Sequence, residues 1–422
     1  MIEIMNLQQC CGCGACAQSC PKHCITMTAD NEGFLYPVVE KDKCIDCGLC
    51  EKVCPELHPM GEHRPIKVAA VVNKNETVRL RSSSGGVFFA LAQTVICEGG
   101  IVFGARFDEH WQVVIDYAET MDEVEAFMGS KYVQASIGNT YSDARRFLHE
   151  GRKVLFSGTP CQIAGLHRFL RKSFDNLLTV DFICHGTPSP KVWDKYLKEQ
   201  FLQPENIKNV NFKNKVKSWK NYGFHIIYEE KGETIFLQSS FRENPYMKAF
   251  LSDLILRPSC YSCNAKSGRS HSDITIADFW GIDKVFPYMD DDKGTGLVFV
   301  NSEKGKFIFN LPDMWITETD YETVKPLNPA CYRSVQPHPK RKQFFRQLDK
   351  KSSVIELILN CTKPPLKYRL YAFMVKCKKN VNRDSPMRSI PIHDLEICSI
   401  SFRNKCNGWK EFSLVINVHI EK

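Results

Sequence analysis

The sequence predicts a protein of the α+β and α/β classes, with a small cysteine-rich module, a larger α/β domain and a tail that contains a β-hairpin. Three observations support this prediction. A cysteine pattern near the N-terminus occurs twice in close succession. Short apolar segments, typical of buried strands, then alternate with segments of helical periodicity as far as residue 340. Near the C-terminus, two β-like segments, residues 396–402 and 409–420, flank Asn407-Gly408, a dipeptide that favours a tight hairpin turn.

The N-terminal module carries two copies of one pattern, Cys10-x2-Cys13-x2-Cys16-x3-Cys20-Pro21 and Cys44-x2-Cys47-x2-Cys50-x3-Cys54-Pro55. This is the bacterial iron–sulfur pattern, in which the fourth cysteine of each copy binds the cluster of the other copy. The predicted ligands of the first cluster are Cys10, Cys13, Cys16 and Cys54. The predicted ligands of the second cluster are Cys44, Cys47, Cys50 and Cys20.

Two other kinds of site use closely spaced cysteines, namely zinc knuckles and disulfide knots. Zinc sites usually pair two CxxC motifs across a longer loop and lack a fourth cysteine followed by proline. A disulfide framework is typical of secreted chains, and the first residues here have neither the basic nor the apolar segment of a secretion signal. The pattern therefore predicts two [4Fe-4S] clusters. Cys11 and Cys24 fall outside the pattern and are predicted to be spare thiols.

Composition limits the function further. A length of 422 residues predicts two or three domains, and 43% hydrophobic with 25% charged residues is typical of a soluble protein. No apolar stretch is long enough to span a bilayer, so we expect no membrane span and, with many free thiols, a cytoplasmic protein. The net charge of +8 sets 56 basic against 48 acidic residues, which argues against a dedicated nucleic-acid-binding protein.

Changes in composition predict the domain boundaries. Residues 1–60 form the two-cluster module, and a segment rich in proline and glycine links it to the rest of the chain. Residues 61–150 and 151–340 form the two parts of the α/β domain. Residues 341–422 form a basic C-terminal extension whose role the sequence does not indicate. A solvated face, or a surface that steers an acidic partner, is expected from four closely spaced lysines: Lys213, Lys215, Lys217 and Lys220.

A loop rich in serine and glycine separates a predicted strand at residues 67–72 from a predicted helix at residues 87–97. Small residues before a helix let backbone N–H groups approach phosphate, and nearby arginine could neutralise it. The candidate residues are Arg81, Ser83, Ser84, Gly85 and Gly86. An ordinary serine N-cap is the alternative interpretation. A second polar loop suits a flavin or a nucleotide, or is a plain surface loop; its residues are Ser130, Lys131, Tyr132 and Gln134.

Four further cysteines lie beside turn-forming residues. Cys161 follows a predicted strand at residues 153–156, and Cys184 follows a predicted strand at residues 177–182. Ligands collect beyond the carboxyl ends of strands in α/β sheets. Cys260 and Cys263 add a CxxC pair. From spacing alone, these four cysteines could hold a third iron–sulfur cluster, hold zinc, or be unrelated free thiols.

The order of these motifs resembles one family. Behind the two-cluster module come Ser83-Ser84-Gly85-Gly86, Gly158-Thr159-Pro160-Cys161-Gln162, Cys184-His185-Gly186, Cys260-x2-Cys263 and Asp278-Phe279-Trp280-Gly281. Over about residues 5–330 the chain resembles the beta-subunit family of coenzyme F420-reducing hydrogenase and formate dehydrogenase. The resemblance implies an FAD-binding α/β domain, a third [4Fe-4S] cluster on the four cysteines and an FAD diphosphate site at the Ser/Gly loop. It also implies cofactor contacts from residues 129–134 and from Gly158, Thr159 and Pro160.

Together the motifs predict an oxidoreductase that depends on FAD and iron–sulfur clusters. It would pass electrons between [4Fe-4S] clusters and FAD, and on to a soluble hydride donor or acceptor, coenzyme F420-like or another small molecule. His185 and Asp278 are candidates for proton transfer, although His185 could instead be a hydrogen-bonded histidine at a strand end. The expected partner is a redox protein, ferredoxin or another electron donor or acceptor. A non-catalytic electron-transfer subunit and a redox-sensing protein are the alternative functions.

Overall fold

A computed structural model of the chain describes residues 1–201 and 203–363, together with the backbone of residues 400–403 and 413–416. Contacts divide the chain into two units, and the boundary in the sequence lies between residues 362 and 363. Every candidate site residue lies in the first unit. No helix in the described part of the chain is long and apolar enough to cross a bilayer.

The first unit is built around a large mixed sheet. Its strands, in chain order with those of two smaller sheets, are β1 (Ile25–Ala29), β2 (Leu35–Val39), β3 (Lys67–Asn73), β4 (Ile101–Phe107), β5 (Val113–Ala118), β6 (Val154–Ser157), β7 (Leu177–Phe182), β8 (Ile207–Asn214), β9 (Gly223–Glu230), β10 (Glu233–Ser240), β11 (Ile274–Asp278), β12 (Gly296–Val300) and β13 (Met314–Thr319). The eight strands of the large sheet lie in the order β13-β3-β12-β11-β7-β6-β4-β5. Strands β4, β6, β7 and β11 pair in parallel, and antiparallel pairing through β12 gives β3 the same direction. The carboxyl ends of these five strands therefore meet at one edge of the sheet.

Helices cover both faces of the sheet. In chain order they are α1 (Ala15–Ser19), α2 (Leu49–Lys52), α3 (Glu76–Arg81), α4 (Val87–Cys97), α5 (Met121–Val124), α6 (Thr140–His149), α7 (Pro160–Leu170), α8 (Pro190–Gln200), α9 (Pro245–Leu251), α10 (Ile282–Val285), α11 (Tyr321–Val324), α12 (Arg341–Gln347) and α13 (Val354–Thr362). Successive strand residues point to opposite faces, so Val102 packs toward α4 while Phe103 packs toward α6 and α7. Two hydrophobic cores therefore enclose the sheet.

A separate antiparallel sheet has the strand order β10-β9-β8. It packs against the helices that come before and after it in the chain. Its core joins Trp193 of α8, Phe212 of β8 and Tyr246 of α9 with Phe344 of α12 and Ile358 of α13. The helices after residue 340 thus belong to the main unit, where the sequence prediction placed a separate extension. The reason is that their apolar side chains complete this core, although Lys342 and Arg346 of α12 are exposed.

The cysteine module contains α1, α2 and the antiparallel pair β1-β2. Gly14 and Gly48, at the N-caps of α1 and α2, adopt the same left-handed backbone conformation, so the two cysteine copies turn alike. One small core of the module consists mostly of cysteines, as its composition predicted. Yet Cys13 and Val53 also share a core with the α/β domain. The module therefore docks on the domain and is not held by its own core alone.

The secondary structure agrees closely with the sequence-based expectations up to residue 340. Helix α4 and strand β7 have the predicted limits, and a turn at Lys231-Gly232 links β9 to β10 with both residues in the left-handed region. The predicted loop before the Ser/Gly residues instead contains the short helix α3. In the C-terminal unit, strands Ile400–Arg403 and Ser413–Ile416 pair antiparallel, while the predicted turn at Asn407-Gly408 lies outside the described residues.

Candidate functional site

The candidate residues collect at the edge of the large sheet where its parallel strands end. The Ser/Gly loop follows β3, Cys161 follows β6, Cys184 follows β7, and Asp278 is the last residue of β11. These residues are far apart in the chain, and the common direction of the four strands brings them to one edge. The edge carries two regions, a cavity lined by cysteines and a polar groove beside the Ser/Gly loop.

The cavity has about 840 Å³ of empty space, part of which is open to solvent. Six cysteines line it: Cys11, Cys161, Cys184, Cys260, Cys263 and Cys331. The structure thus brings together the four cysteines that the sequence proposed as one site. It also adds Cys11, which the sequence treated as a spare thiol of the N-terminal module.

The thiols of this cavity affect one another. Burial raises the pKa of Cys184 well above its usual value, and the nearby Cys260 and Cys263 raise it further. A hydrogen bond with Cys11 raises the pKa of Cys161, and burial adds to the rise. Four close thiolates are therefore unfavourable here without a cation to bind them. This is the environment that a bound metal centre would stabilise.

In the described residues, no group of three or more His, Cys, Asp or Glu side chains lies close enough to hold a single metal ion as the side chains stand. A cubane binds its four cysteines at four different iron atoms, so its ligands lie farther apart than those of one ion. Lys266 lies beside the same thiols and donates hydrogen bonds from Nζ to the backbone oxygens of Cys184 and Ala330, both at 2.7 Å. A buried cation beside thiolates suits an anionic cluster.

The cavity extends past the cysteines to a buried carboxyl group, Asp181, on β7. Burial raises the pKa of Asp181 to about 6, and a hydrogen bond from Ser270 at 2.6 Å opposes the rise. The other oxygen, Oδ1, has no hydrogen-bond partner within the described residues. This end of the cavity therefore contains a buried carboxyl group whose raised pKa favours the protonated form more than the pKa of an exposed aspartate does.

The predicted ligands of the first cluster lie close together at the docked side of the module. Burial raises the pKa of Cys16 to about 12, and the charges of Cys10 and Cys54 raise it further. The charges of Cys16 and Cys54 also raise the pKa of Cys13. A Cβ atom at Gly165 of α7 would lie 2.8 Å from the Cys13 Cβ, so glycine at this position allows the module to approach the helix.

The predicted ligands of the second cluster line a separate cavity at the other side of the module. The cysteines of this cavity are Cys20, Cys24, Cys44, Cys47 and Cys50. Cys24, the other predicted spare thiol, is buried with its Sγ 3.4 Å from the Cys20 Sγ. Cys47 is exposed, so this set of cysteines reaches the protein surface.

The Ser/Gly loop lies between β3 and α4 and is closely packed. Ser83 and Ser130 share a hydrogen bond of 2.8 Å between their hydroxyls, so the two predicted polar loops meet. A Cβ atom at Gly85 would lie 2.3 Å from the Val71 carbonyl oxygen, which leaves no space for a side chain. Gly86 is the N-cap of α4, and no side chain caps that helix. Backbone N–H groups of its first turn are thus available to a ligand.

The two arginines near the loop already have carboxylate partners. Arg81, a predicted cofactor contact, pairs with Glu125 at 2.8 Å on the surface. Arg79 is buried and forms two hydrogen bonds with Asp291. Backbone N–H groups and serine hydroxyls would therefore bind a phosphate at the loop first. Arg81 could bind the phosphate only if its ion pair with Glu125 were broken.

The side chains of the second polar loop lie in two different parts of the site. Lys131 donates from Nζ to the backbone oxygens of Ala126 and Met128, and burial lowers its pKa to about 7. The Tyr132 ring stacks on Phe250, with 4.6 Å between the ring centroids. Gln134 instead donates to the Cys11 carbonyl oxygen at 3.2 Å, at the cysteine cavity. Gln134 therefore lies against the cluster module, while Ser130 and Tyr132 lie near the Ser/Gly loop.

Gly158, Thr159 and Pro160 shape the turn from β6 to α7. Thr159 caps α7 and forms a capping box with Gln162, and Pro160 occupies the first turn of the helix. Pro160 and Cys161 both line the cysteine cavity. The turn thus positions the Cys161 thiol at the start of a well-capped helix.

The two predicted proton-transfer residues have different partners. His185 lies at the cysteine cavity, with its Nε2 2.7 Å from Asp253 Oδ1. Asp278 accepts a hydrogen bond from Trp219 Nε1 at 2.8 Å and forms an ion pair with Lys213. The predicted proton donors therefore belong to separate regions of the sheet edge.

Two of the four lysines expected on a solvated face are buried. Lys213 is only 3% exposed and Lys215 only 7%, so that prediction is wrong for both, while Lys217 is exposed. Lys215 donates to the carbonyl oxygens of Ser84 and Lys293, at 3.0 and 2.8 Å, and so holds the Ser/Gly loop. Lys213 lies in β8 and Lys215 just beyond its end, and a spacing of two residues in extended chain places both side chains on one side, which is the signal that sequence reasoning missed.

Two family models match the chain. Residues 9–57 match the 4Fe-4S dicluster domain, and residues 151–323 match the C terminus of the beta subunit of coenzyme F420 hydrogenase/dehydrogenase. No curated protein matches the sequence. Among solved structures, a chain of the xenon-derivatized F420-reducing [NiFe] hydrogenase complex from Methanosarcina barkeri is 18% identical, with a TM-score of 0.43, over 64% of this chain and 88% of that chain.

The two family matches agree with the cysteines. A dicluster domain carries [4Fe-4S] clusters, and it precedes a region of an oxidoreductase family, so the chain has a redox role in electron transfer. The predicted resemblance is thereby confirmed. Residues 151–323 are thus similar to the C terminus of the coenzyme F420 hydrogenase/dehydrogenase beta subunit, behind an N-terminal 4Fe-4S dicluster domain at residues 9–57.

Proposed function

We propose that the chain is an iron–sulfur flavoprotein oxidoreductase in the cytoplasm. It holds two [4Fe-4S] clusters in the module, a third on Cys161, Cys184, Cys260 and Cys263, and FAD beside the Ser/Gly loop. It exchanges electrons with a redox protein, such as a ferredoxin, and with a soluble hydride donor or acceptor, coenzyme F420-like or another small molecule. The observation that carries the proposal is the single cavity at the sheet edge where these four cysteines meet.

The place of this cavity favours electron transfer between the module and the domain. Cys11, next to the predicted ligand Cys10, interacts directly with Cys161. Cys13 packs against Gly165 on the helix that Cys161 begins. A first cluster on the module and a third cluster in the cavity would therefore be neighbours, as electron transfer between clusters requires.

The second predicted cluster has the position of an electron entry point. Its ligand Cys47 is exposed, and the side chain next to this loop, Ile45, is 58% exposed. Exposed apolar surface at a redox centre suits a transient partner. We therefore infer that the redox partner binds at this side of the module and that electrons pass from the second cluster to the first and then to the third.

Aromatic and histidine rings connect the cysteine cavity with the proposed flavin groove. The His185 ring lies 5.3 Å from the Phe250 ring, and Phe250 stacks on Tyr132. The charge of Asp278 raises the pKa of Tyr132, after the larger effects of burial and Tyr222, so Asp278 lies on the same groove. This arrangement supports a flavin ring placed between Tyr132 and the loop after β11.

The residues present fit the diphosphate of FAD at the Ser/Gly loop. The uncapped start of α4 provides backbone N–H donors, and one hydroxyl of the Ser83–Ser130 pair can donate as well, while the Ser84 hydroxyl donates to the Thr295 carbonyl oxygen. A flavin bound there supplies the exchange between electron pairs and single electrons that clusters alone do not perform. The chain itself binds and orients the ring. Asp278, in the groove, is the group available to hold a proton beside the ring, while His185 lies at the cysteine cavity.

The test is the cofactor content of the full chain purified under nitrogen. The proposal predicts bound flavin and about twelve iron atoms per chain. About eight irons without flavin would show a plain electron carrier instead. Reoxidation of the dithionite-reduced protein by a series of soluble acceptors, followed by absorbance, then identifies the class of the substrate.

A negative charge at the Ser/Gly loop is expected to remove the flavin. In the variant Ser83→Asp the new carboxylate would repel the diphosphate, and we expect flavin affinity to fall at least about tenfold, which corresponds to about 1.4 kcal/mol. The isosteric Ser83→Asn is the matched control and should keep most of the flavin. Flavin per chain is measured after gel filtration, with iron content unchanged in both variants. Full flavin content in Ser83→Asp would exclude this loop as the phosphate site.

A further inference from the structure

Arg257 lies between two sets of cysteines and is almost fully buried, with 1% of its surface exposed. Its Nη2 is 3.6 Å from the Sγ of Cys10, a predicted ligand of the first cluster. Arg257 also lines the cavity in which Cys161, Cys184, Cys260 and Cys263 meet. The guanidinium is therefore within electrostatic reach of one ligand of the first cluster and of the cavity proposed for the third.

The hydrogen bonds of Arg257 fix the guanidinium in this place. Nε donates to the Cys10 carbonyl oxygen at 2.8 Å, and Nη1 donates to Gln134 Oε1 at 3.0 Å. Nη2 donates to the Leu35 carbonyl oxygen at 2.9 Å, and the guanidinium carbon lies 4.3 Å from the centre of the Tyr36 ring. These acceptors belong to the module and to the α/β domain, so the side chain spans the junction between them.

The positive charge of Arg257 has no carboxylate partner among the described residues, since its oxygen acceptors are neutral. Arg341, which is similarly buried, pairs with Glu32. Burial raises the pKa of Glu56, and the charge of Arg257 lowers it without a hydrogen bond between the two. A buried cation without a partner is costly. An anionic cluster on each side would supply the missing negative charge.

We propose that Arg257 raises the reduction potentials of the first and third clusters above that of the second cluster, an inference that rests on the proposed function. A cubane with four thiolates gains a further negative charge when it is reduced, so a fixed cation stabilises the reduced form more than the oxidised form. Two cations line the second cysteine cavity in the described residues, the exposed Lys22 and the Met1 ammonium, which is neutralised by ion pairs with Asp46 and Glu51. Electrons that enter at the second cluster would therefore move inward.

The experiment compares cluster potentials in the full chain, by redox titration under nitrogen with EPR detection. In Arg257→Gln we expect full iron content and lower potentials for the first and third clusters. The ratio of reduced to oxidised cluster at the wild-type midpoint should fall about tenfold, which is about 59 mV for a one-electron couple. The second cluster is the internal control and should not change. Arg257→Lys, which keeps the charge, should show a much smaller shift.

Gln134→Glu is the second variant, because it keeps Arg257 and places a carboxylate against Nη1, at the cost of the hydrogen bond from Gln134 to the Cys11 carbonyl oxygen. It should lower the same two potentials, while Arg341→Lys, which keeps the positive charge at a buried position already paired with Glu32, should lower neither. Unchanged potentials in Arg257→Gln and Gln134→Glu with full iron would overturn the inference and leave the proposed function intact. If Arg257→Gln loses iron, the cluster potentials of Gln134→Glu test the inference instead. Loss of clusters in both variants would also overturn the inference. Failure of the proposed function appears separately, as missing iron or flavin in the unmodified chain.

Discussion

Replacing Cys161 with serine is expected to lower the iron content from about twelve to about eight atoms per chain, because one of three cubanes loses a ligand. Cys161 lies in the cavity with Cys184, Cys260 and Cys263, and its thiol interacts directly with Cys11. Serine keeps the size of the side chain but is a poor iron ligand. The loss should be accompanied by loss of one EPR signal after reduction, while both clusters of the module remain.

Two cysteines provide matched controls for this variant. Cys331 lines the same cavity outside the proposed ligand set, and Cys97 is exposed at the end of α4. Serine at either position should leave iron content and EPR signals unchanged. Loss of iron in Cys331→Ser would instead place Cys331 among the ligands. A full complement of about twelve irons in Cys161→Ser would contradict the third cluster on these four residues.

The sequence predicted the elements well where the signal is local. Three features depend only on neighbouring residues and are recognisable within a short window. They are the ligand spacing in the two cysteine copies, the apolar run of α4 and the turn at Lys231-Gly232. The order of strands then brings the turns after β6 and β7 to one edge, as expected for parallel strands. The meeting of Cys161 with Cys184 was thus foreseeable.

The residues that the sequence could not predict act through long-range contacts. Arg257 bonds to Cys10, which is 247 residues away in the chain, and a single arginine carries no sign of such a partner. Gln134 was predicted to contact a flavin, yet its amide bonds to the Cys11 carbonyl oxygen because the module docks there. Lys213 was expected in solvent because it lies in a run of lysines, although its carboxylate partner is Asp278, on a different sheet. Such pairings depend on how the module and both sheets pack together.

The buried pair of Lys213 and Asp278 predicts the second large effect, on stability. The variant Asp278→Asn should lower the free energy of unfolding by about 3–5 kcal/mol, because it leaves the buried ammonium of Lys213 without its carboxylate. Asparagine can still accept the hydrogen bond from Trp219 Nε1, so the variant removes the negative charge of residue 278 and keeps this hydrogen bond. Urea unfolding under nitrogen, followed by tryptophan fluorescence, measures the change.

The pH dependence distinguishes charge from packing. Burial lowers the pKa of Lys213 in the folded chain, and Asp278 opposes that lowering, so removing the carboxylate lowers the pKa further. A lysine whose pKa is lower in the folded than in the unfolded chain binds fewer protons when folded, so stability rises with pH up to the pKa of the unfolded lysine. The loss in Asp278→Asn should therefore be larger at pH 6 than at pH 9.

The double variant Lys213→Met with Asp278→Asn removes both charges and should recover much of the stability, because an apolar side chain suits the rings of Trp219 and Trp280 around it. The surface pair of Asp194 and Lys198 is the matched control, and Asp194→Asn should cost less than about 1 kcal/mol. Equal losses for the single and double variants, with no dependence on pH, would show that Asp278 acts through packing. In that case the charge of Lys213 would not be available to balance a negative group in the adjoining groove.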